Sequence, residues 1–516
     1  MINHKQVIFT FFFLLIFSIS SVYAKNTKYG GVAVFSFYNQ VTSIDPALSE
    51  DLNSQQIASC IFEGLVALNP ETSKIEPKLA RKWMTSDYKV WTFFLKKNIK
   101  FHDGTDFTAE SVKFNFDRQL ISDKIGKNSD FVFYKNIFGK YGDYIVSVET
   151  PERYKVRITL AYPDVLFLYK LAVLASTIQS PVALKKTASD LVYRPVGTGP
   201  FYFSEWRRSG RLILNKNIAY SDFVYLDRVI FEPYSDMDYC IRQMLRGITD
   251  LSTGISLKDF EKKSLNSNFS SVNSPSDSLF FLLINPERKE FKYAFSRRAI
   301  SYLIDKKELA EEYDGTEAYS FLTPSMLGYI KKEFSYNTED INSFLNSIDN
   351  DRTFTLIYPE DNCFYLKNTE NLAFKIQKYL RAGGVKVILK KMSYTDYMSA
   401  ISNKNYDLAF GLERDIYGSP DIYLPLIYSV RVFKKMTGKS AEWTNDLDSL
   451  LKQARTEINP NKRKLIYSSA DNLLSENMPS IPLFYKKNTV VYSDRVKNVL
   501  YNKSGNIIVK NLWVNN

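Results

Sequence analysis

A change of hydrophobic period in the second half of the chain is the feature that most constrains its fold. Apolar side chains alternate along residues 354–358, as in a strand, and recur at helical spacing along 372–380. Gly383-Gly384 is expected to end that helix, and alternation returns along 385–389. A further helix and strand are predicted at 394–401 and 407–410. This order predicts an α/β domain built on a β-α-β unit, with its ligand side at the strand ends.

The first 24 residues follow the pattern of a secretory signal. Lys5 precedes an apolar run along residues 7–19, and the small-residue site Val22-Tyr23-Ala24 follows it. The run is shorter than the roughly 20 residues that a membrane-spanning helix needs, and no cysteine stands at the cleavage site to carry a lipid. The sequence therefore predicts export to the periplasm, with cleavage after Ala24 and a mature chain that begins at Lys25.

The distribution of charge and the scarcity of reactive side chains argue against several classes of function. The formal net charge is +12, but the basic residues are spread among 56 acidic ones and do not form the cluster of a nucleic-acid-binding module. His102 is the only imidazole beyond the leader, and its position beside Asp103-Gly104 is typical of a structural turn. Gly438-Lys439-Ser440 and Gly197-Thr198-Gly199 lack the further glycines of phosphate and dinucleotide loops. We therefore expect a binding protein, not an enzyme, with no cofactor, no metal and no nucleic-acid partner.

The length and the cysteine content of the chain limit the possible architectures. Cys60, Cys240 and Cys363 can form at most one disulfide, and their spacing matches neither a CxxC motif nor a zinc site. A chain of 516 residues without repeats or low-complexity linkers is long enough for about two to four domains joined by short crossings.

Short motifs occur in one order along nearly the whole chain beyond the leader. They are Tyr29-Gly30-Gly31, Ser43-Ile44-Asp45-Pro46-Ala47, Ile61-Phe62-Glu63-Gly64-Leu65-Val66, Pro77-Lys78-Leu79-Ala80, Phe101-His102-Asp103-Gly104, Phe107-Thr108-Ala109-Glu110, Pro195-Val196-Gly197-Thr198-Gly199-Pro200-Phe201, Gly247-Ile248-Thr249-Asp250, Arg297-Arg298-Ala299-Ile300 and Met478-Pro479-Ser480-Ile481-Pro482-Leu483. Each is weak by itself. Together they make the chain resemble the family 5 extracellular solute-binding proteins, the large peptide and nickel binders of ABC importers.

The resemblance implies an α/β periplasmic binding protein-like fold with two lobes joined by a hinge, one lobe being enlarged by an extra subdomain. It implies that residues 25–70, 195–272 and 488–516 form lobe I, that 71–194 form its extra subdomain, and that 273–487 form lobe II. It also implies that the ligand is enclosed when the lobes close. The closed form would then be recognised by an inner-membrane ABC permease with its ATPase subunits, and we expect the binding protein to be a monomer.

The ligand implied by the resemblance is a peptide bound in an extended form through its main chain. The antimicrobial-peptide (Sap-like) branch of the family is one candidate. A non-peptide solute such as haem, an oligosaccharide or a metal chelate is the alternative that the sequence leaves open.

The sequence departs from the dipeptide binders of the family where these hold the ends of their ligand. Those proteins carry a Gly-Trp pair and then an Asp for the ligand ammonium, shortly before a Pro. If Pro420 is aligned with that Pro without gaps, Leu412-Glu413 occupies the positions of the Gly-Trp pair. Ile416 then occupies the position of the Asp, and Asp415 lies one residue away. Cys363 stands where an Arg for the ligand carboxylate is expected. Ordinary dipeptide specificity is therefore not expected, unless the alignment shifts by one residue and Asp415 takes the place of the ammonium-binding Asp.

The candidate ligand-binding residues lie near the predicted strand ends and in the segments that depart from the family. They are Asn285, Cys363, Tyr365, Phe410, Glu413, Asp415, Ile416 and Tyr417.

We predict that peptides with Lys or Arg side chains bind more tightly than neutral or acidic ones, because a buried Glu413 or Asp415 carboxylate needs a positive partner. The alternative is that both carboxylates face solvent. Calorimetry with matched cationic and neutral peptides on the wild type, Glu413→Gln and Asp415→Asn measures the effect. Loss of one partner of a buried pair should cost about 2 to 5 kcal/mol of binding, and loss from an exposed pair under about 1 kcal/mol. The hypothesis is wrong if cationic peptides have no advantage, or if neither substitution reduces it.

Overall fold

The computed structural model describes residues 28–515 apart from short gaps at 39–40, 50, 73, 121–130, 140–142, 191–193, 265–267, 334, 350, 361–367, 415–418, 429–440 and 503–504. The strands are β1 Val32–Tyr38, β2 Val66–Leu68, β3 Ile75–Pro77, β4 Ala80–Met84, β5 Val90–Leu95, β6 Ile145–Glu152, β7 Lys155–Leu160, β8 Phe201–Trp206, β9 Leu212–Lys216, β10 Arg228–Tyr234, β11 Leu251–Thr253, β12 Phe269–Ile284, β13 Gly315–Glu317, β14 Phe354–Pro359, β15 Val387–Met392, β16 Leu408–Arg414, β17 Ser480–Ser493, β18 Val496–Lys497 and β19 Trp513–Val514. The α-helices are α1 Leu52–Ile61, α2 Ala109–Leu120, α3 Val132–Phe138, α4 Phe167–Leu171, α5 Pro181–Asp190, α6 Met237–Leu245, α7 Leu257–Lys263, α8 Ala294–Tyr302, α9 Lys306–Glu312, α10 Thr338–Ser347, α11 Thr369–Ala382, α12 Tyr394–Ser402, α13 Pro420–Tyr428, α14 Glu442–Thr456 and α15 Pro460–Asn477.

One large mixed sheet forms the frame of the molecule. Its strand order is β15-β14-β16-β12-β17-β11-β1-β10-β9-β8, and β13 pairs with β17 outside this path. The predicted β-α-β unit is confirmed, because β14 pairs in parallel with β15 and α11 connects them. Gly384 has φ +86°, a backbone conformation that glycine adopts readily, and it follows the end of α11 as the sequence predicted. The predicted strand after Asp407 is β16, which also pairs in parallel with β14.

The hydrophobic cores of the described residues lie in two lobes and an extra subdomain, and two of these cores continue into a neighbouring unit through Ile422 and Leu166. Lobe I comprises β1 and β8–β11 with α1, α6 and α7, and its core contains Phe35 and Phe231. Lobe II comprises β13–β16 with α8–α15, and one of its cores contains Phe280 and Ile376. The extra subdomain is the sheet β4-β5-β7-β6 with α2, packed around Trp91. The α/β two-lobe fold is thus as predicted, whereas the residue limits of the three units stay a prediction.

His102 fixes the extra subdomain to lobe I through a glycine turn. The backbone N–H of His102 donates to the Gly197 carbonyl at 2.9 Å, and the ring Nε2 lies 3.0 Å from the Gly199 carbonyl. The Gly197 N–H lies 3.3 Å from Nδ1, so the ring is neutral and carries its proton on Nε2. A Cβ at Gly197 would lie 2.1 Å from the carbonyl oxygen of Ile61, so only glycine fits there. The structural role expected for His102 is confirmed.

We predict that the His102 imidazole titrates below 6.5. Burial lowers the pKa of His102, against opposing effects from the Gly199 carbonyl and from the Glu63 and Asp103 carboxylates. The folded protein therefore binds fewer protons than the unfolded chain once the pH falls below 6.5. The stability contributed by neutral His102 is present above that pH and is lost as the pH falls through the folded pKa.

Proton NMR measures this titration directly, since His102 is the single imidazole of the chain from Lys25 onward. Thermal unfolding at pH 7.5 and pH 5 should show a smaller loss of stability in His102→Gln than in the wild type. An imidazole that titrates at or above 6.5 would contradict the prediction.

Candidate ligand cleft

Two antiparallel strands run from one lobe into the other and form the boundary between them. In lobe I, residues 269–273 of β12 pair with residues 489–493 of β17, and in lobe II residues 277–283 pair with 480–487. The register shifts between Asn273 and Asp277, at the boundary itself. An interrupted ladder bends more easily than a regular one, so this position can serve as the hinge between the lobes.

Hydrogen bonds join the two lobes on opposite sides of the crossing strands. The Ser256 hydroxyl, at the N-cap of α7 in lobe I, donates to the Asp314 carboxylate of lobe II at 2.9 Å. The neighbouring Lys258 ammonium donates to the Glu311 carbonyl. On another side, Arg414 at the end of β16 donates to the Gln55 side-chain oxygen of α1 at 2.6 Å. The lobes therefore meet across the cleft, which is the arrangement of a closed binding protein.

A cavity of about 480 Å³ lies between the lobes beside the crossing strands. This volume falls within the roughly 300–1,000 Å³ of ligand pockets in proteins. Both lobes and β17 contribute to its lining, through Met237, Gly254, Ile255, Ser256, Lys258, Asp259, Lys262, Glu312, Tyr313, Asp314, Asn368, Lys486, Lys487, Asn488 and Thr489. A smaller cavity next to it is lined by residues of β1 and α1 and shares Gly254, Lys486, Asn488 and Thr489 with the larger one.

Lys486 places a positive charge at the base of the cleft. Its side chain is enclosed by protein atoms although part of it remains accessible to the cavity. Burial lowers the pKa of Lys486 to about 8, and the attraction of Asp314 offsets only part of this effect. The interior of the cleft therefore holds an ammonium group that has lost much of its hydration.

A buried ionic cluster joins the extra subdomain to lobe II. Within the subdomain, Lys170 lies 2.6 Å from the Asp164 carboxylate. Within lobe II, Arg455 Nε lies 2.9 Å from the Asp421 carboxylate. The contact between the two units is the Lys170–Asp421 pair at 3.4 Å, together with a backbone hydrogen bond from Val165 to the Arg455 carbonyl.

Opposite charges and hydrogen bonds offset the cost of burying the ionic cluster. Asp164 and Asp421 side chains are fully buried, and the Lys170 side chain is 5% exposed. Burial opposes the ionisation of Asp164, but Lys170 and hydrogen bonds from Tyr144 and the Leu166 backbone hold its pKa below the usual value. Buried ions without such partners would be costly, so the cluster favours the closed contact between the subdomain and lobe II.

Two of the predicted site residues, Asn285 and Phe410, have buried side chains in lobe II, and their contact with a ligand stays a prediction. Phe410 is 1% exposed and packs in the lobe II core with its ring 5.4 Å from that of Phe280. The Asn285 amide donates to the Lys404 and Tyr406 carbonyls at 3.0 and 2.8 Å, so it closes a turn of lobe II. In the structure both side chains therefore make contacts within lobe II.

The remaining site residues stay predictions. Glu413 is half-buried on β16. Burial of the Tyr428 phenol is the main cause that raises its pKa, and the negative charge of Glu413 raises it further. The contact of Glu413 with a ligand is therefore still a hypothesis. Cys363, Tyr365, Asp415, Ile416 and Tyr417 lie outside the described residues.

Sequence reasoning missed the polar residues that define the closed cleft, namely Gln55, Ser256, Asp314, Arg414 and Lys486. One signal was available, since Lys486-Lys487 directly follows the apolar run of residues 481–485. Among the described residues, Cys60 and Cys240 are free and buried, and no group of ligating side chains could hold a metal ion. None of the helices in the described part of the chain combines the length and apolarity needed to cross a membrane.

Comparisons with known proteins agree on the type of molecule. Residues 74–434 match the family described as bacterial extracellular solute-binding proteins, family 5. The probable D,D-dipeptide-binding periplasmic protein DdpA of Escherichia coli is 26% identical over 479 residues, covering 89% of either chain. The glutathione-binding protein GsiB of Escherichia coli is 26% identical over 466 residues, covering 86% of this chain and 87% of GsiB.

The fold matches that of solved binding proteins. The ABC transporter-associated periplasmic binding protein DppA from Helicobacter pylori, in complex with the peptide STSA, superposes with a TM-score of 0.81. The match covers 95% of this chain and 99% of the DppA chain at 24% sequence identity, and it shows that the two proteins share a fold.

We predict that Lys170→Met lowers the free energy of unfolding by about 3 to 5 kcal/mol, because it leaves Asp164 and Asp421 buried with one cation fewer. Chemical denaturation of the purified protein measures the change. The matched control is Lys289→Met, which removes a cation from an exposed pair with Asp349, the two side chains being 73% and 74% exposed. The control should leave stability nearly unchanged. Equal effects of the two substitutions would contradict a special role for the buried cluster.

Proposed function

Because the chain belongs to the bacterial extracellular solute-binding proteins of family 5, we propose that it is the peptide-binding component of an ABC importer in the periplasm. It captures its ligand between two lobes and delivers it to an inner-membrane permease and its ATPase subunits. It binds and does not transform its ligand, as the family consists of binding proteins and not of enzymes.

The observation that carries the proposal is the cavity between the lobes, which is lined by residues of both. A ligand in this cavity contacts lobe I and lobe II together only when they are closed. Its binding free energy therefore shifts the population from open to closed molecules. The closed surface, which includes the Ser256–Asp314 and Gln55–Arg414 contacts, is then the form that a permease can distinguish from the open one.

Two observations support a peptide as the ligand. DdpA and GsiB are named for binding a D,D-dipeptide and glutathione, respectively. The Helicobacter pylori structure contains the peptide STSA. The cavity of this chain carries both cationic and anionic side chains, which suits a ligand with a charge of each sign. Haem, an oligosaccharide or a metal chelate is not favoured by these relatives.

We further propose that residues 1–24 form the export signal and that cleavage after Ala24 releases the chain into the periplasm. The pattern of Lys5, the apolar run and Ala24 supports this site. The residue limits given for lobe I, the extra subdomain and lobe II belong to the same proposal, and the register shift between Asn273 and Asp277 supports the boundary at 272–273.

We predict that the protein, exported with its own leader and purified without detergent, carries peptides and closes around them. Native mass spectrometry should find bound masses that fragment as peptides, and Edman degradation should begin at Lys25. Small-angle scattering should show a smaller radius of gyration after the emptied protein is saturated with the co-purified peptides. A bound compound that is not a peptide would overturn the ligand proposal, and an unchanged radius at saturation would overturn the closure mechanism.

A further inference from the structure

The extra subdomain and lobe II each place one aliphatic side chain in the hydrophobic core of the other. Leu166 belongs to the subdomain, but it packs in the lobe II core that contains Tyr423 and Leu447. Ile422 belongs to lobe II, but it packs in the subdomain core that contains Trp91. Leu166 and Ile422 are both 4% exposed. The two units are therefore held together by reciprocal apolar contacts as well as by buried charges.

The buried ions of the same contact form a row of alternating sign. Asp164 and Lys170 are paired within the subdomain at 2.6 Å, and Asp421 and Arg455 are paired within lobe II at 2.9 Å. The Lys170–Asp421 contact at 3.4 Å joins the two pairs. When the units separate, each ion keeps a partner of opposite charge and regains hydration, so that no buried ion is left alone. The contact can therefore open and close reversibly.

The contact lies apart from the cleft. The Val165 N–H, next to Leu166 in the chain, donates to the Arg455 carbonyl at 2.9 Å and fixes the position of lobe II against the subdomain. The Arg455 guanidinium also lies 6.0 Å from the centre of the Tyr162 ring, which belongs to the subdomain. Among the described residues that line the two cavities of the cleft, none comes from this contact. It can therefore act on closure without touching a ligand in either cavity.

Opening the cleft on this side exposes apolar surface. Leu166 and Ile422 leave the core of the partner unit when the subdomain and lobe II separate, and the transfer of apolar surface into water is unfavourable. The contact thus contributes to the free energy of closing by an amount that does not depend on which peptide is bound. Because binding is coupled to closure, the apparent affinity falls when the closed state is made less favourable.

We propose that Leu166, Ile422 and the adjoining row of charges form a latch, which sets the affinity for peptides and the rate of their release without contacting them. Leu166 and Ile422 are positioning residues, because they act through the arrangement of the two units. This inference rests on the proposed peptide-binding function and extends it to a part of the molecule outside the cleft.

The test compares Leu166→Ala and Ile422→Ala with a matched control, Leu380→Ala. Leu380 is fully buried in a core whose described members all belong to lobe II. Equilibrium dialysis against a pool of randomised tetrapeptides measures the apparent affinity, and a chase with unlabelled pool measures the rate of release. Chemical denaturation without peptide measures the free energy of unfolding.

The latch variants should lose affinity, and the control should lose only stability. Leu166→Ala and Ile422→Ala should each bind the pool at least about tenfold more weakly, which corresponds to about 1.4 kcal/mol, and release it about tenfold faster. Leu380→Ala should lower the free energy of unfolding by a comparable amount while its affinity changes by less than about twofold. Ile422→Val, which removes one methylene group, should weaken binding by a smaller factor than Ile422→Ala.

The outcomes distinguish this inference from the proposed function. Unchanged affinity in both Leu166→Ala and Ile422→Ala, or an equal loss of affinity in Leu380→Ala, overturns the latch and leaves peptide binding intact. A wild type that binds none of the tetrapeptides overturns peptide binding, and the inference with it.

Discussion

The passage of β12 and β17 from one lobe into the other is the constraint on which the rest of the structure depends. Each strand belongs to the sheet of both lobes, so the lobes share a frame and can move only where that frame is interrupted. The ladder is interrupted between Phe280 and Phe281, inside lobe II, and between Asn273 and Asp277, where the boundary between the lobes lies. The interruption at this boundary places the cavity, the contacts between lobes and Lys486 around one short segment of backbone. A small change of backbone angle there is enough to open or close the cleft, since distant parts of a rigid lobe move furthest.

The extra subdomain contacts its two neighbours through different chemistry. Toward lobe I, the backbone N–H and the ring of a neutral His102 form hydrogen bonds with the turn at Gly197 and Gly199. Toward lobe II, buried charges centred on Lys170 and Asp421 lie beside an apolar contact in which Leu166 packs in one cluster with Tyr423. The charged groups of the contact with lobe II regain hydration when they separate, which lowers the cost of opening the cleft on that side.

The motifs that identify the family lie mainly in the scaffold. Asp45 of the Ser-Ile-Asp-Pro-Ala motif accepts hydrogen bonds from Arg118 and Gln179, which secure the extra subdomain. Arg297 donates to the Met478 carbonyl, and Arg298 pairs with Asp340 at 2.9 Å. These residues support the scaffold of this chain, because they satisfy buried backbone and carboxylate groups. Lys486, which lines the cavity, and Arg414, which donates to Gln55 of the other lobe, stand outside the motifs. The motifs therefore account for the scaffold and not for these residues at the cleft.

The sequence by itself determined the elements whose physical cause is local. The alternation at 354–358, the helical period at 372–380 and Gly383-Gly384 were sufficient for β14, α11 and the end of that helix, since these signals act between near neighbours in the chain. The order of motifs was sufficient for the two-lobe fold and the family. Only the tertiary structure decided which polar residues face the cleft. Phe410 and Asn285 fit the expected pattern but are turned into lobe II, whereas Lys486 and Asp314, 172 positions apart in numbering (486 − 314), meet at one cavity. Contacts of that kind depend on how strands cross between lobes, and no local period in a sequence encodes this crossing.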